Sequence, residues 1–227
     1  MKGISSGKCN RHGGHLVSRR ATGVVASAVL TVVLVVTGSG PAAAQDLLES
    51  GWIAIQSYNF PDHYVRHRAY LGELTKIASS LDQLDSTFRV VKGLAGRGTV
   101  SFESRNFPGY FLRHHNLRLK LHKFDGTDLF RQDASFLTKN GLALGLSNVP
   151  VDETLTSYES INYPGYYIRH RADTRAEEAG KVFHLYIEKY VGSAAVDARR
   201  PSAAEARFRR DCTFRLKPRR VPPAVIK

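Results

Sequence analysis

The sequence predicts an all-β fold, a β-trefoil of three pseudo-symmetric units of about 47–60 residues each. Two observations predict it. An eleven-residue phrase occurs three times without a gap: Ser57-Tyr-Asn-Phe-Pro-Asp-His-Tyr-Val-Arg-His67, Ser104-Arg-Asn-Phe-Pro-Gly-Tyr-Phe-Leu-Arg-His114 and Ser160-Ile-Asn-Tyr-Pro-Gly-Tyr-Tyr-Ile-Arg-His170. A second phrase follows each copy: Asp85-Ser-Thr-Phe88, Asp133-Ala-Ser-Phe136 and Asp211-Cys-Thr-Phe214. Ser, Asn, Pro, Arg and His recur at fixed offsets, and internal repetition of this kind decides architecture ahead of local propensity. The units run over residues 51–97, 98–150 and 151–218.

Within each unit the elements follow in order. Ile55-Gln-Ser57, Phe102-Glu-Ser104 and Tyr158-Glu-Ser160 alternate in polarity and read as short strands. Asn-aromatic-Pro-Gly then places Pro and Gly at the two centres of a type II turn. The aromatic-aliphatic-Arg-His segment is the returning strand, which completes a hairpin. Leu117-Arg-Leu-Lys-Leu121 is a period-two strand leading to a turn at Asp125-Gly126. A strand opening on the Phe of the second phrase closes the unit. Three units of about four strands give a twelve-stranded fold around a threefold axis. A propeller of three blades is too small a ring, and a solenoid lacks its leucine ladder. The third unit carries an extra stretch, Glu188–Glu205, which separates His170 from Asp211 by 41 positions against 18 and 19 in the other units. It reads as a surface loop.

Outside the repeats the chain reads differently. Residues 1–20 hold Lys2, Lys8, Arg11, Arg19 and Arg20 and no acid, an apolar run follows from Ala21 to Thr37, and Ala42-Ala43-Ala44-Gln45 closes it. This is the pattern of a secretory signal over residues 1–44, with an uncleaved membrane anchor as the alternative. Cleavage leaves residues 45–227, the size of one ordinary domain, and lowers the formal charge of +13 by the five basic residues. The remaining cations are spread along the chain, which favours anionic surfaces such as cell-wall polymers over nucleic acid. Residues 219–227 read as a basic, disordered tail. Cys9 leaves with the signal, so Cys212 has no disulfide partner and no cysteine zinc site exists.

The repeated polar residues carry the chemistry. Strand alternation puts Val65, Leu112 and Ile168 in the core, with His67, His114 and His170 at the rim of the same face. One aspartate follows each histidine: Asp85, Asp133 and Asp211. A carboxylate accepts from two adjacent hydroxyls, and a neutral imidazole offers one donor and one acceptor, so the pairs suit a sugar. The alternative is a structural role, since a histidine deeper than the rim must be satisfied internally. Tyr110 and Tyr166 stand ready either to cover an apolar sugar face or to pack the hairpin. Arg66, Arg113 and Arg169 read as structural residues that make ion pairs or cover backbone carbonyls. No serine or cysteine lies in a nucleophile motif, and each unit repeats one acid where a glycosidase needs two. Two ligands per site fall short of a metal centre. The expectation is a binding protein with no cofactor, no metal and no catalytic residue, acting as a monomer and free of the membrane once the signal is removed.

Asn-[Phe/Tyr]-Pro-Gly-Tyr-[Phe/Tyr]-[Leu/Ile]-Arg-His, then Leu-x-Leu and Phe-Arg-x-Asp-x-[Ser/Thr]-Phe, closely resemble the arabinose-binding domain of α-L-arabinofuranosidase B, family 42 of the carbohydrate-binding modules. The resemblance covers residues 50–217. It implies a β-trefoil that binds arabinofuranose side chains of arabinoxylan or arabinan without hydrolysing them, one pocket per unit. Its pockets would be His67 with Asp85, His114 with Asp133, and His170 with Asp211, with Arg68, His115 and Arg171 in the pocket walls. The first unit departs from the pattern, with Asp62-His63 where the others have Gly-Tyr. Two other functions fit the sequence less well: a surface protein that holds anionic wall polymer, and an arabinan hydrolase.

Overall fold

The computed structural model describes residues 51–96, 98–192 and 201–219. The expected signal segment and residues 220–227 of the expected tail lie outside them. The first unit comprises β1 (Ile53–Ser57), β2 (His63–Arg68), β3 (Leu71–Lys76), a short helix α1 (Ser80–Asp85) and β4 (Phe88–Lys92). The second comprises β5 (Thr99–Ser104), β6 (Tyr110–His115), β7 (Arg118–Lys123), α2 (Asp128–Asp133) and β8 (Phe136–Asn140). In the third are β9 (Leu155–Ser160), β10 (Tyr166–Arg171), α3 (Arg175–Gly180), β11 (Phe183–Lys189), α4 (Ala203–Asp211) and β12 (Phe214–Pro218). The fold is all-β, one sheet of twelve strands.

Six strands close a ring through antiparallel pairs: β1 with β4, β4 with β5, β5 with β8, β8 with β9, β9 with β12, and β12 back to β1. The other six form three hairpins of six paired positions each, β2–β3, β6–β7 and β10–β11. These hairpins pair with one another as β3–β7, β7–β11 and β11–β3. The first and last strands of the described residues meet in the β1–β12 ladder, from Ile53 opposite Pro218 to Ser57 opposite Phe214.

Local chemistry accounts for the connections. Gly109 and Gly165 sit at φ +78° and +82°, as the third position of a type II turn demands. Asp62 at the matching place is not among the positive-φ residues, so the first turn closes by a different route while keeping its hydrogen bond, His63 N to Phe60 O at 2.9 Å. Ala69-Tyr70 and Asn116-Leu117 take positive φ at both positions, the type I′ turn that matches the twist of a two-residue hairpin. In the third unit Ala172–Val182 replaces that turn and carries α3, capped by Thr174 and Glu177.

Val65, Leu112 and Ile168 are buried as expected, and Phe88, Phe136 and Phe214 are fully enclosed. Phe102 meets Tyr158 edge to face at 5.0 Å. Each enclosed Phe contributes on the order of 1.5–3 kcal/mol by burial, so the second phrase anchors the core.

The expectation of local signals that are all β needs correction. Four short α-helices and a 3-10 turn at Leu142–Gly145 lie among the described residues, and α1, α2 and α4 each end on the repeated aspartate. Their starts were legible in Ser79-x-x-Asp82 and Thr174-x-x-Glu177, where both halves of a capping box form. The extra stretch is not all loop either. β11 runs on to Lys189, and α4 begins at Ala203 behind a Ser202 cap; residues 193–200 lie outside the described ones.

Candidate functional site

Each repeated histidine lies near the end of a hairpin strand and each aspartate at the end of a helix. The fold brings them together in the three expected pairs. His67 Nε2 lies 3.5 Å from Asp85 Oδ1, His114 Nε2 3.4 Å from Asp133 Oδ1, and His170 Nε2 3.8 Å from Asp211 Oδ1.

The hydrogen bonds that hold each pair come from the next unit. Asn106 donates from Nδ2 to Asp85 Oδ1 at 2.7 Å, and its Oδ1 lies 3.0 Å from His67 Nε2. Asn162 bridges Asp133 and His114 in the same way, at 2.7 and 2.9 Å. Asn59 bridges Asp211 and His170 at 2.9 and 3.0 Å, so the first unit completes the third. Ser104, Ser160 and Ser57 each donate to the Oδ1 of their asparagine at 2.8–2.9 Å. An amide that gives its N–H to a carboxylate must accept with its oxygen, so each Nε2 carries the proton and Nδ1 is the bare acceptor.

The arginine before each histidine holds the second carboxylate oxygen. Arg66 Nη2 donates to Asp85 Oδ2 at 2.6 Å, Arg113 Nη2 to Asp133 Oδ2, and Arg169 Nη2 to Asp211 Oδ2 at 3.1 Å. These are the ion pairs expected of the three arginines.

The histidines were expected at an open rim, and here the structure differs. His67, His114 and His170 are 3, 3 and 1% exposed, because the Ser-x-Asn turn of the following unit packs across each ring. Burial disfavours the charged imidazole. It holds His67 and His114 below the ordinary histidine value and pushes His170 down to about 3. The same loss of water raises Asp211 above its ordinary value, against the pull of Arg169. All three histidines are therefore neutral at pH 7. His170 Nδ1 is buried with no partner among the described residues.

The expected wall residues lie further out. Arg68, His115 and Arg171 are exposed at the strand ends. Arg68 faces Glu73 at 3.5 Å, and Arg171 meets Glu188 at 2.8 Å and covers Tyr186. Tyr166 packs edge-on to Tyr163 at 5.5 Å. Tyr110 lines a cavity of about 430 Å³ together with Arg113, and His114 is not in its lining. The bridging Asn59, Asn106 and Asn162 were visible as invariant members of the repeat, yet their spacing suggested only a turn. One trio of potential metal-binding side chains exists among the described residues, Asp173, Glu177 and His184. Its groups are already engaged, with Glu177 capping α3 and His184 Nδ1 2.9 Å from Asp173.

Three copies of one His–Asp–Asn–Arg cluster are what this architecture repeats. The alpha-L-arabinofuranosidase B (ABFB) domain model matches residues 53–216, more than half of the chain. The chain belongs to the ABFB domain family. An extracellular exo-alpha-(1->5)-L-arabinofuranosidase of Streptomyces avermitilis is 47% identical to this ABFB domain protein over 91 residues, which are 40% of the chain and 18% of the enzyme. A solved GH54 α-L-arabinofuranosidase variant, soaked with 4-nitrophenyl α-L-arabinofuranoside, superposes with a TM-score of 0.57 at 26% identity, over 74% of this chain and 31% of that one. An arabinofuranosidase complexed with arabinofuranosyl-alpha-1,2-xylobiose shares the fold, with a TM-score of 0.56 at 23% identity over 73% and 30% of the two chains. The chain thus spans less than a third of the length of these relatives. Family membership connects it to arabinose-related carbohydrate binding.

Proposed function

We propose that this protein is a secreted, non-catalytic carbohydrate-binding module that recognises arabinofuranose side chains of arabinoxylan or arabinan. Its scaffold is a β-trefoil over residues 45–218, and its sites lie at His67–Asp85, His114–Asp133 and His170–Asp211. The observation that carries this reading is the threefold His–Asp–Asn cluster in a member of the ABFB family. Each carboxylate accepts one bond from Asn and one from Arg, which leaves lone pairs on both oxygens for two adjacent hydroxyls. The unprotonated Nδ1 of each histidine adds an acceptor. The ring of paired strands and the three interlocked hairpins support the trefoil. The extracellular relative and the signal-like residues 1–44 support export.

Each cluster's serine lies 3.2–3.5 Å from the histidine Nε2, but it donates to the asparagine and that nitrogen already carries a proton, so no base activates it. With the carboxylates held in ion pairs, the reading has the protein bind its sugar without cleaving it. Single sites of this size bind weakly, and several on one branched polymer raise the apparent affinity. Affinity electrophoresis through an arabinoxylan gel tests the proposal. Retardation is expected, relieved by free arabinose and lost in the folded Asp133→Asn/Asp211→Asn double variant. Unretarded migration of the folded wild-type protein refutes it, and arabinose released on prolonged incubation refutes the non-catalytic part.

A second reading has one observation in its favour. Arg89 and Arg105 both lie over the Trp52 ring, at 5.5 and 5.3 Å, a basic aromatic surface suited to anionic wall polymer. Retention that salt abolishes and free arabinose leaves untouched would select it.

A further inference from the structure

The three repeated arginines are not equally satisfied. Arg66 reaches two carboxylates, Asp82 through Nη1 and Asp85 through Nη2. Arg169 also reaches two, Glu188 through Nη1 and Asp211 through Nη2. Arg113 has one, Asp133 through Nη2. The residue matching Asp82, three before the repeated aspartate, is Phe130 here, and Arg113 lies over its ring at 4.7 Å. The residue matching Glu188 is His122: Tyr167 faces Glu188 across its hairpin as Phe111 faces His122. Neither replacement supplies an anion. Among the described residues no group accepts from Arg113 Nη1.

Arg113 is only 7% exposed, and it lines the cavity of about 430 Å³. Its Nε and Nη2 are engaged with His114 O and Asp133, Nη1 is not sealed off from solvent, and the planar fork matches a second carboxylate. The cavity's other walls suit a sugar ring. Tyr70, 46% exposed at the hairpin tip, lies 6.1 Å from Tyr110 with the rings inclined by 24°. Lys123 and His122 add polar groups; the one acid in the lining, Asp125, accepts from Thr127 N and Oγ1 through Oδ1 and interacts with Arg113 through its charge, without a hydrogen bond to it. The volume is within the range of small-ligand pockets.

We propose that this cavity binds a uronic acid residue, its carboxylate on Arg113 in the place that Asp82 and Glu188 fill in the other units, and its ring against the aromatic wall that Tyr70 and Tyr110 form together. The proposal rests on the carbohydrate-binding reading and shares Arg113 with the second cluster, but it needs no sugar bound at any of the three clusters. The second unit would then read an acidic sugar on the same polymer whose neutral side chains the clusters take.

Calorimetric titration of the secreted protein tests it with four probes: methyl glucuronoside, methyl glucoside, acetate and methyl α-L-arabinofuranoside. Methyl glucuronoside is expected to bind roughly tenfold or more tighter than methyl glucoside or acetate, the gain of a charge-assisted hydrogen bond. His122→Glu supplies the internal carboxylate that the third unit has in Glu188. It is expected to abolish that preference while leaving melting temperature and arabinofuranoside binding in place. Tyr70→Ala, at an exposed turn, is expected to weaken the glucuronoside without touching the fork. Equal affinity for glucuronoside and glucoside overturns the proposal. So does acetate binding as well as the glucuronoside, or an unchanged preference in His122→Glu. Arabinofuranoside binding without the glucuronoside preference sinks this site alone. The preference without arabinofuranoside binding sinks the arabinofuranose reading and upholds this site.

Discussion

Acidification from neutral pH to about pH 4.5 should destabilise this fold, with His170 as the main cause. The imidazole has a folded value of about 3 and an unfolded value near 6.5. The unfolded chain therefore binds a proton that the native one refuses. A histidine held neutral in the fold contributes its full stability above the unfolded value, and the contribution is lost as pH falls toward the folded one. Between pH 7 and pH 4.5 the loss from His170 is about 2.5 kcal/mol. For a domain of this size that lowers the melting temperature by roughly 5–10 °C. His67 and His114 are shifted in the same direction and add to the loss. Asp211, whose value is raised, works the other way, since its burial as an anion is relieved by acid. Urea unfolding at the two pH values, with His170→Gln alongside, isolates the term. The variant keeps an amide N–H for Asn59 Oδ1 but has no proton to take up, so its pH dependence should be flatter by about 2.5 kcal/mol. Equal slopes for wild type and variant, or a wild type indifferent to pH across this range, would refute the assignment.

Two further outcomes follow from the same geometry. Asn162→Ala strips a buried N–H of His114 and a buried oxygen of Asp133 of their partner, and should cost about 2–4 kcal/mol in chemical denaturation; Asn162→Asp should not restore it, because two facing carboxylates repel. Gly165→Ala, at φ +82° with nothing within 4 Å of the added carbon, should cost about 1–2 kcal/mol from backbone strain alone, a value readable from the shift in the denaturation midpoint at unchanged slope.

Much of the fold was legible because the repeat states it three times. The strands that open on Phe88, Phe136 and Phe214, the core residues Val65, Leu112 and Ile168, and the three His–Asp pairings all follow from matching positions within a unit. What escaped lies between units. Asn59 completes a cluster with His170, 111 positions away, and no spacing inside one copy points to that contact. The burial of the histidines escaped for the same reason, since the group that covers each ring arrives from the following repeat. The helices before each aspartate escaped because they are six to nine residues long, too short to display a helical period. The unequal arginines were readable in principle, as Asp82, Phe130 and Phe208 occupy one repeat position, but only the hairpin register shows that His122 and Glu188 occupy another.

The bridge from Asn59 to His170 and Asp211 also says something about where this chain needs to begin. No unit can assemble its own cluster, for each borrows a serine and an asparagine from its successor, and the last borrows from the first. A ring of lenders has no natural starting point. Arg219 N already donates to Trp52 O at 2.8 Å, so a few linking residues between them would join the described ends. Reopening such a chain in the turn between β4 and β5 should give a circular permutant with all three clusters intact, whereas a single excised unit would have none.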